Sequence, residues 1–302
     1  MDNDAQQGIE RFLVKLHTER RLSPHTLKSY RRDLDNLSRY CDQHQVNHWR
    51  DLTEIEVRQY VGQRHRQGID GKSLQRELSA FRSCFNYLLS EGEISSNPAT
   101  HVKAPRSARK LPDTLDVDMV KRLVEIQGDA PLTRRDRAIL ELFYSSGLRL
   151  SELVGLELNS VDLTDATVEV TGKGNKTRRV PLGRHAVSAL QDWLQCRSHM
   201  VAGGDETAIF VSRQGRRLSP RSVQARLRHW AVKQGIDMRV YPHLLRHSFA
   251  SHMLESSQDL RAVQELLGHA NISTTQIYTH LDFQHLASVY DKAHPRARKK
   301  DD

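Results

Sequence analysis

His243 and Arg246 lie three residues apart, a spacing that puts an imidazole and a guanidinium on one face of a helix. A second histidine, His269, follows Gly268, and Tyr278 stands nine residues later in a short segment opened by Ser273-Thr274. Such groups suit a site that holds a phosphate and attacks it with a phenolic oxygen. Cleaving a phosphodiester in this way requires neutralised non-bridging oxygens, which two guanidinium forks provide well. It also requires an in-line nucleophile, an acid for the departing sugar oxygen and a base for the nucleophile. Arg149 supplies a second guanidinium, and Lys173, in the basic run Gly172–Arg178, is the best-placed acid.

Each residue also has a plainer reading. His243 can be an ordinary residue of a helix N-terminus, His269 a loop histidine, and Tyr278 a half-buried core residue. Arg149, wedged between Leu148 and Leu150, needs an anionic partner. That partner is either Glu152 or a DNA phosphate, with Glu152 then orienting the arginine. The basic run can be simple backbone contact by Lys173, Lys176 and Arg178. His247, His252 and His280 raise the question of zinc, but an arginine interleaved among them opposes a cation. Neither a GxxxxGK[ST] loop nor a two-metal carboxylate set is visible, so no cofactor, metal or ATP is expected.

The elements that must position these groups divide the 302 residues into two halves. Residues 1–94 read as helices only. Ser23-Pro24 caps one, Thr53-Glu54-Ile55-Glu56 forms a capping box for another, and Leu74, Leu78, Phe81, Phe85 and Leu88 stripe a fourth. Four helices of this length make a small bundle. Arg64, Arg66, Lys72, Arg76 and Arg82 could face phosphates there or simply be solvated. Residues 95–112, with Pro98, Pro105 and Pro112 among Lys103, Arg106, Arg109 and Lys110, read as a basic linker.

Residues 113–302 read as a mixed α/β domain. Asp116 and Thr133 cap its first helices, and the second stops at Gly147, where Ser151 is available as the next cap. Val168–Thr171 and Arg179–Leu182 alternate as strands of a hairpin, to which Ala208–Val211 can add a third strand. A helix capped by Ser219-Pro220 carries Arg221, Arg226 and Arg228 and suits a DNA groove or backbone. Tyr241-Pro242 opens the helix of His243, and Asp259 caps the one that ends at Gly268. A tail with Leu286, Val289 and Tyr290 as its stripe packs on its own domain or on a neighbouring subunit.

The formal net charge is +9, and the excess sits beside the proposed site. Residues 1–105 hold 16 Lys/Arg against 14 Asp/Glu; the rest hold 30 against 23. Nucleic acid is the default partner of such a chain, with an acidic membrane surface or acidic protein as the alternative. Cys41, Cys84 and Cys196 form no metal-ligand pattern and read as reduced thiols. No apolar run reaches the ~20 residues that span a bilayer, and a cytoplasmic location is expected.

Taken in order, Gly147-Leu148-Arg149-Leu150-Ser151-Glu152-Leu153, Gly172-Lys173-Gly174, His243-Leu244-Leu245-Arg246-His247, Leu267-Gly268-His269 and Tyr278 resemble the tyrosine site-specific recombinase (phage integrase) family. The likeness covers the whole second half, and the helical first half is similar to that family's core-binding domain. It implies a mainly α fold with a small β-sheet, its two domains clamping a DNA duplex. It further implies Tyr278 as nucleophile, Arg149 and Arg246 as clamps, Lys173 as acid, His243 as base or donor and His269 as a phosphate donor. A 3′-phosphotyrosyl intermediate would conserve bond energy. The expected partners are a double-stranded recombination site, a related recombinase in a tetramer with two copies of each, and a DNA translocase at the division septum. The implied tail docks into the next protomer. A DNA-binding protein without chemistry and a relaxing topoisomerase remain the alternatives.

Overall fold

The computed structural model describes residues 1, 3–19, 22–106, 114–172, 177–201, 206–268 and 280–296, with backbone alone for 280–285. Lys173, His269 and Tyr278 lie outside the described residues. The chain forms two units, Met1–Leu111 and Pro112–Asp302.

In the first unit, α1 (Asn3–Thr18), α2 (Pro24–Gln43), α3 (Glu54–Arg66) and α4 (Gly71–Ser90) form the expected bundle. Ser23 caps α2, and Thr53 and Glu56 close a capping box on α3, each satisfying amides that a helix start leaves unpaired. The α4 stripe is fully buried. Three basic residues considered for DNA are committed inside the unit. Arg64 pairs with buried Glu77, Arg76 pairs with buried Asp33, and Arg82 donates to the carbonyls of Ala99 and Val102. A buried carboxylate cannot be left without a counter-charge, so Arg64 and Arg76 turn a guanidinium onto Glu77 and Asp33. Arg66 and Lys72 are exposed. The bonds from Arg82 also fix the start of the stretch read as a linker, where Ala99 and Val102 join the bundle core.

The second unit opens with α5 (Val117–Val124), capped by Asp116, and α6 (Pro131–Ser146), followed by the short α7 (Leu150–Gly155). The α6 helix begins at Pro131 rather than behind Thr133, because proline is well suited to the first helical position. Strands β1 (Val161–Asp162), β2 (Thr167–Thr171) and β3 (Thr177–Pro181) form an antiparallel sheet in that order. The hairpin β2–β3 forms as expected, but β3 starts at Thr177, two residues before Arg179, with Thr171 opposite Thr177. The third strand is β1 and not Ala208–Val211. That buried segment makes only isolated bridges, Glu157 with Ala208 and Val211 with Arg217, and Trp193 donates to the Ile209 carbonyl.

Helices α8 (Arg184–Met200), α9 (Pro220–Lys233), α10 (Pro242–Ser257), α11 (Leu260–Leu267) and α12 (His280–Ala293) complete the unit. The sequence reading overlooked α8, although Ala186, Ala189, Leu190 and Trp193 bury one face at helical spacing. Arg226 on α9 is tied to its own unit, its Nε donating to buried Asp136 at 2.6 Å, while its side chain stays 34% exposed. Asp136 also accepts from Arg135 and, at 2.9 Å, from the Trp230 indole. Removing this carboxylate strands Arg135, which is itself buried. Asp136→Ala is therefore expected to cost about 3–5 kcal/mol of unfolding free energy in a urea titration. An unchanged midpoint would contradict the arrangement.

The apolar stripe of the tail is occupied at home. Leu286, Tyr290 and Ala293 of α12 are buried in their own unit's core. The Tyr290 hydroxyl meets the Ser145 hydroxyl at 2.7 Å, and the latter accepts from the Gly183 amide. His294 donates to the Tyr144 carbonyl, and Arg296 pairs with Glu141 and Glu125. In the single chain these polar groups find their partners within their own unit, and burying them unpaired would be costly.

Candidate active site

The corner between α6 and α7 is built on Gly147. Its φ of +56° ends α6 in the left-handed region that glycine adopts without penalty. A Cβ at this position would lie 2.4 Å from the Phe249 ring. Gly147→Ala is accordingly expected to lose about 2–4 kcal/mol of stability, combining left-handed strain with overpacking. A thermal melt like that of the unsubstituted protein would refute this.

Arg149 follows as the residue preceding α7, so the cap lies two residues earlier than Ser151. The Glu152 carboxylate reaches back to the Arg149 amide at 2.8 Å, and Arg149 Nη1 donates to Glu152 Oε1 at 2.8 Å. This is the Glu152 partnership considered from sequence, but it does not use up the arginine. The Arg149 side chain remains 41% exposed, whereas that of Glu152 is 2% exposed.

Glu152 has a second cationic partner that sequence reasoning assigned to the hairpin tip. Arg178 lies on β3, its side chain 7% exposed, and donates Nη1 to Oε1 at 2.9 Å and Nη2 to Oε2 at 3.0 Å. The signal was legible. Arg178 shares strand parity with Val180, and alternate residues of a strand point to one face. Burial alone would push the Glu152 carboxyl up, but hydrogen bonds from Arg178 and the Arg149 amide reverse this and bring it down to about 2. It is therefore an anion at any physiological pH.

Pro242 at the first helical position starts α10, which exposes His243 and buries Arg246 one turn later. Arg246 spans two carbonyls, with Nη1 on Gly147 at 2.7 Å and Nη2 on Leu267 at 2.6 Å. It thereby ties α10 to the Gly147 corner and to the end of α11, where Gly268 adopts a φ of +65°. Burial, and then the nearby Arg149 charge, bring its guanidinium down to about 10. One carboxylate thus faces three guanidinium groups. The excess positive charge at Arg149 and Arg246 lowers the cost of desolvating an anion placed there.

The structure brings Arg149 and Arg246 into one charged cluster, and it places His243 one helical turn before Arg246. Three expected site residues, Lys173, His269 and Tyr278, lie outside the described residues. Among the described residues, no helix is long and apolar enough to cross a membrane.

Residues 113–285 match the model of the phage integrase family, and residues 9–92 match that of the phage integrase N-terminal SAM-like domain. The chain is 51% identical over 308 residues to the tyrosine recombinase XerC of Alcanivorax borkumensis, covering 100% of this chain and 99% of that protein. It is 50% identical over 296 residues to the tyrosine recombinase XerC of Escherichia coli O157:H7, covering 98% and 99% respectively. Two solved structures share the fold. The XerH site-specific recombinase, in a post-cleavage complex with a palindromic difH substrate, superposes with a TM-score of 0.71 at 22% identity, covering 96% of this chain and 91% of its own. A lambda integrase (75–356) dimer bound to a COC′ core site gives 0.69 at 19% identity, covering 90% and 99%.

Proposed function

Since the chain belongs to the phage integrase family and is a site-specific tyrosine recombinase, we propose that it cuts and rejoins DNA through Tyr278. The phenolic oxygen attacks the scissile phosphorus and forms a 3′-phosphotyrosyl bond while the bond to the 5′ oxygen breaks. Lys173 gives that oxygen its proton, and His243 receives the tyrosine proton or donates to the phosphate. Arg149, Arg246 and His269 hold the non-bridging oxygens. A 5′-hydroxyl from a partner duplex then reverses the chemistry. The phosphodiester is restored without ATP or a metal ion.

The observation that carries this reading is the charge excess of three guanidiniums on one carboxylate, with Arg149 still accessible. An isolated buried cluster would be expected to balance its charges; an anion site leaves the balance to its ligand.

By the same reading both units contact a double-stranded recombination site. The curated relatives' name extends the proposal to resolution of chromosome and plasmid dimers during cell division, in the cytoplasm. The partner is then a XerD-like recombinase, two copies of each forming a heterotetramer, and a septal DNA translocase of the FtsK type is the candidate activator. In that assembly the C-terminal tail would dock on a neighbouring subunit.

A duplex nicked beside its cognate site tests the chemistry, because the short cleaved strand diffuses away and traps the covalent complex. The expected product is a protein–DNA adduct on the tryptic peptide spanning residues 262–292, which contains Tyr278. Absence of any adduct with the partner recombinase present would sink the reading. Relaxation of supercoiled DNA by the chain alone, without exchange between two sites, would favour a topoisomerase.

A further inference from the structure

We propose that Arg178 is a positioning residue for DNA cleavage, fastening the Arg149 corner, the β2–β3 hairpin and the end of α11 into one piece. The proposal rests on the recombinase reading of the site given above.

Arg178 hydrogen-bonds to two elements that it does not belong to. Its two Nη atoms grip both oxygens of Glu152 at the head of α7, and its Nε donates to the Leu266 carbonyl of α11 at 3.3 Å. Gly268 packs so closely on it that a Cβ there would lie 3.0–3.1 Å from Cδ, Nε and Cζ of Arg178. The three joined segments lead into the three parts of the chain that carry chemistry: Arg149, the run holding Lys173, and the segment holding His269 and Tyr278.

Stability alone does not account for this arrangement. A buried ion pair can often be exchanged for well-packed apolar side chains at little or no loss. What the fork provides is geometry. Glu152 has both oxygens engaged by Arg178, so only one bond, from Nη1 at 2.8 Å, is left for the Arg149 side chain. Without Arg178 the carboxylate is free to turn and take Arg149 in a two-bond pair, drawing that guanidinium away from a phosphate. Lysine at 178 keeps the charge but has no fork and cannot hold both oxygens in plane.

The test compares full-length protein, Arg178→Lys and Arg178→Met in single-turnover cleavage of the nicked duplex at saturating DNA, over a range of pH. DNA affinity and thermal unfolding are measured in parallel. Arg178→Lys is expected to melt and bind DNA as the unsubstituted protein does, yet cleave about 10–100-fold more slowly, the scale of a misplaced reacting group. Arg178→Met is expected to show a new loss of rate on the acid side, because Glu152 no longer has the partner that keeps it ionised. That acid limb should vanish when Glu152→Gln is added. If Arg178→Met does not fold, Arg178→Lys decides the matter alone. A folded Arg178→Lys protein that cleaves at the full rate, or one whose slower cleavage follows entirely from weaker DNA binding, overturns the proposal. Failure of the unsubstituted protein to form any adduct overturns the cleavage reading, and this proposal with it.

Discussion

A Tyr278→Phe protein is expected to bind its recombination site as tightly as the unsubstituted chain and to form no covalent complex with it. The substitution removes one oxygen and leaves the ring, so shape, charge and DNA contacts persist. On the proposed mechanism the adduct needs that oxygen, because the 3′-phosphotyrosyl bond would be made to it. On the nicked duplex the loss should reach at least about 10³-fold, since removing a covalent nucleophile leaves no parallel route to the same product. Gel shift and denaturing gel, run on the same samples, separate binding from bond formation. An adduct that persists in the Phe variant would place the nucleophile elsewhere, and Tyr241, which is exposed and directly precedes α10, would be the next residue to map.

The second large effect is expected at the two arginines, and it should differ between them. Arg149→Gln and Arg246→Gln should each slow cleavage by about 10²–10³-fold, the usual consequence of losing one preorganised donor to developing charge. Arg149 is partly exposed and its amide bond to Glu152 is retained in the variant, so unfolding should change little. Arg246 is buried and bridges the carbonyls of Gly147 and Leu267, so its loss should also lower the melting temperature. Arg246→Lys should not recover the rate, because one ammonium cannot serve both carbonyls and a phosphate. A double variant should fall far short of the product of the two single losses, as groups acting on one charge do. Cleavage by Arg149→Gln at the original rate would remove that residue from the clamp.

Local signals in the chain were read well where the backbone needs a specific residue. Gly147, Asp116, Asp259, Ser219 and Gly268 each mark a helix end, and each does so in the structure. The likeness to a recombinase family likewise rested on short motifs that survive reading in one dimension. What escaped was pairing between distant segments. Arg226 and Arg76 look like DNA contacts until Asp136 and Asp33 are found buried beside them, 90 and 43 residues away. The β1 strand has only two residues, too few for alternation to declare itself. The α12 stripe shows that the tail helix must be covered, yet spacing cannot say by which chain. Arg178 was grouped with the tip lysines because charge outweighed strand parity, and parity was the better guide.

The seating of α12 bears on how the enzyme can be held in check. Tyr278 precedes His280, the first residue of that helix, by two positions, so the chain cannot carry it more than roughly 7 Å from the helix start. Leu286 and Tyr290 hold the helix in its own unit, with Ser145 and Gly183 completing the joint. On the proposed reading the nucleophile is thus on a short leash, pegged through α12 to Ser145 and Gly183 of its own unit. A signal that loosened or shifted the peg would, on that reading, move the reactive oxygen. Such control would need no change at Arg149 or Arg246, so an armed and a disarmed enzyme would hold the same site with the same strength.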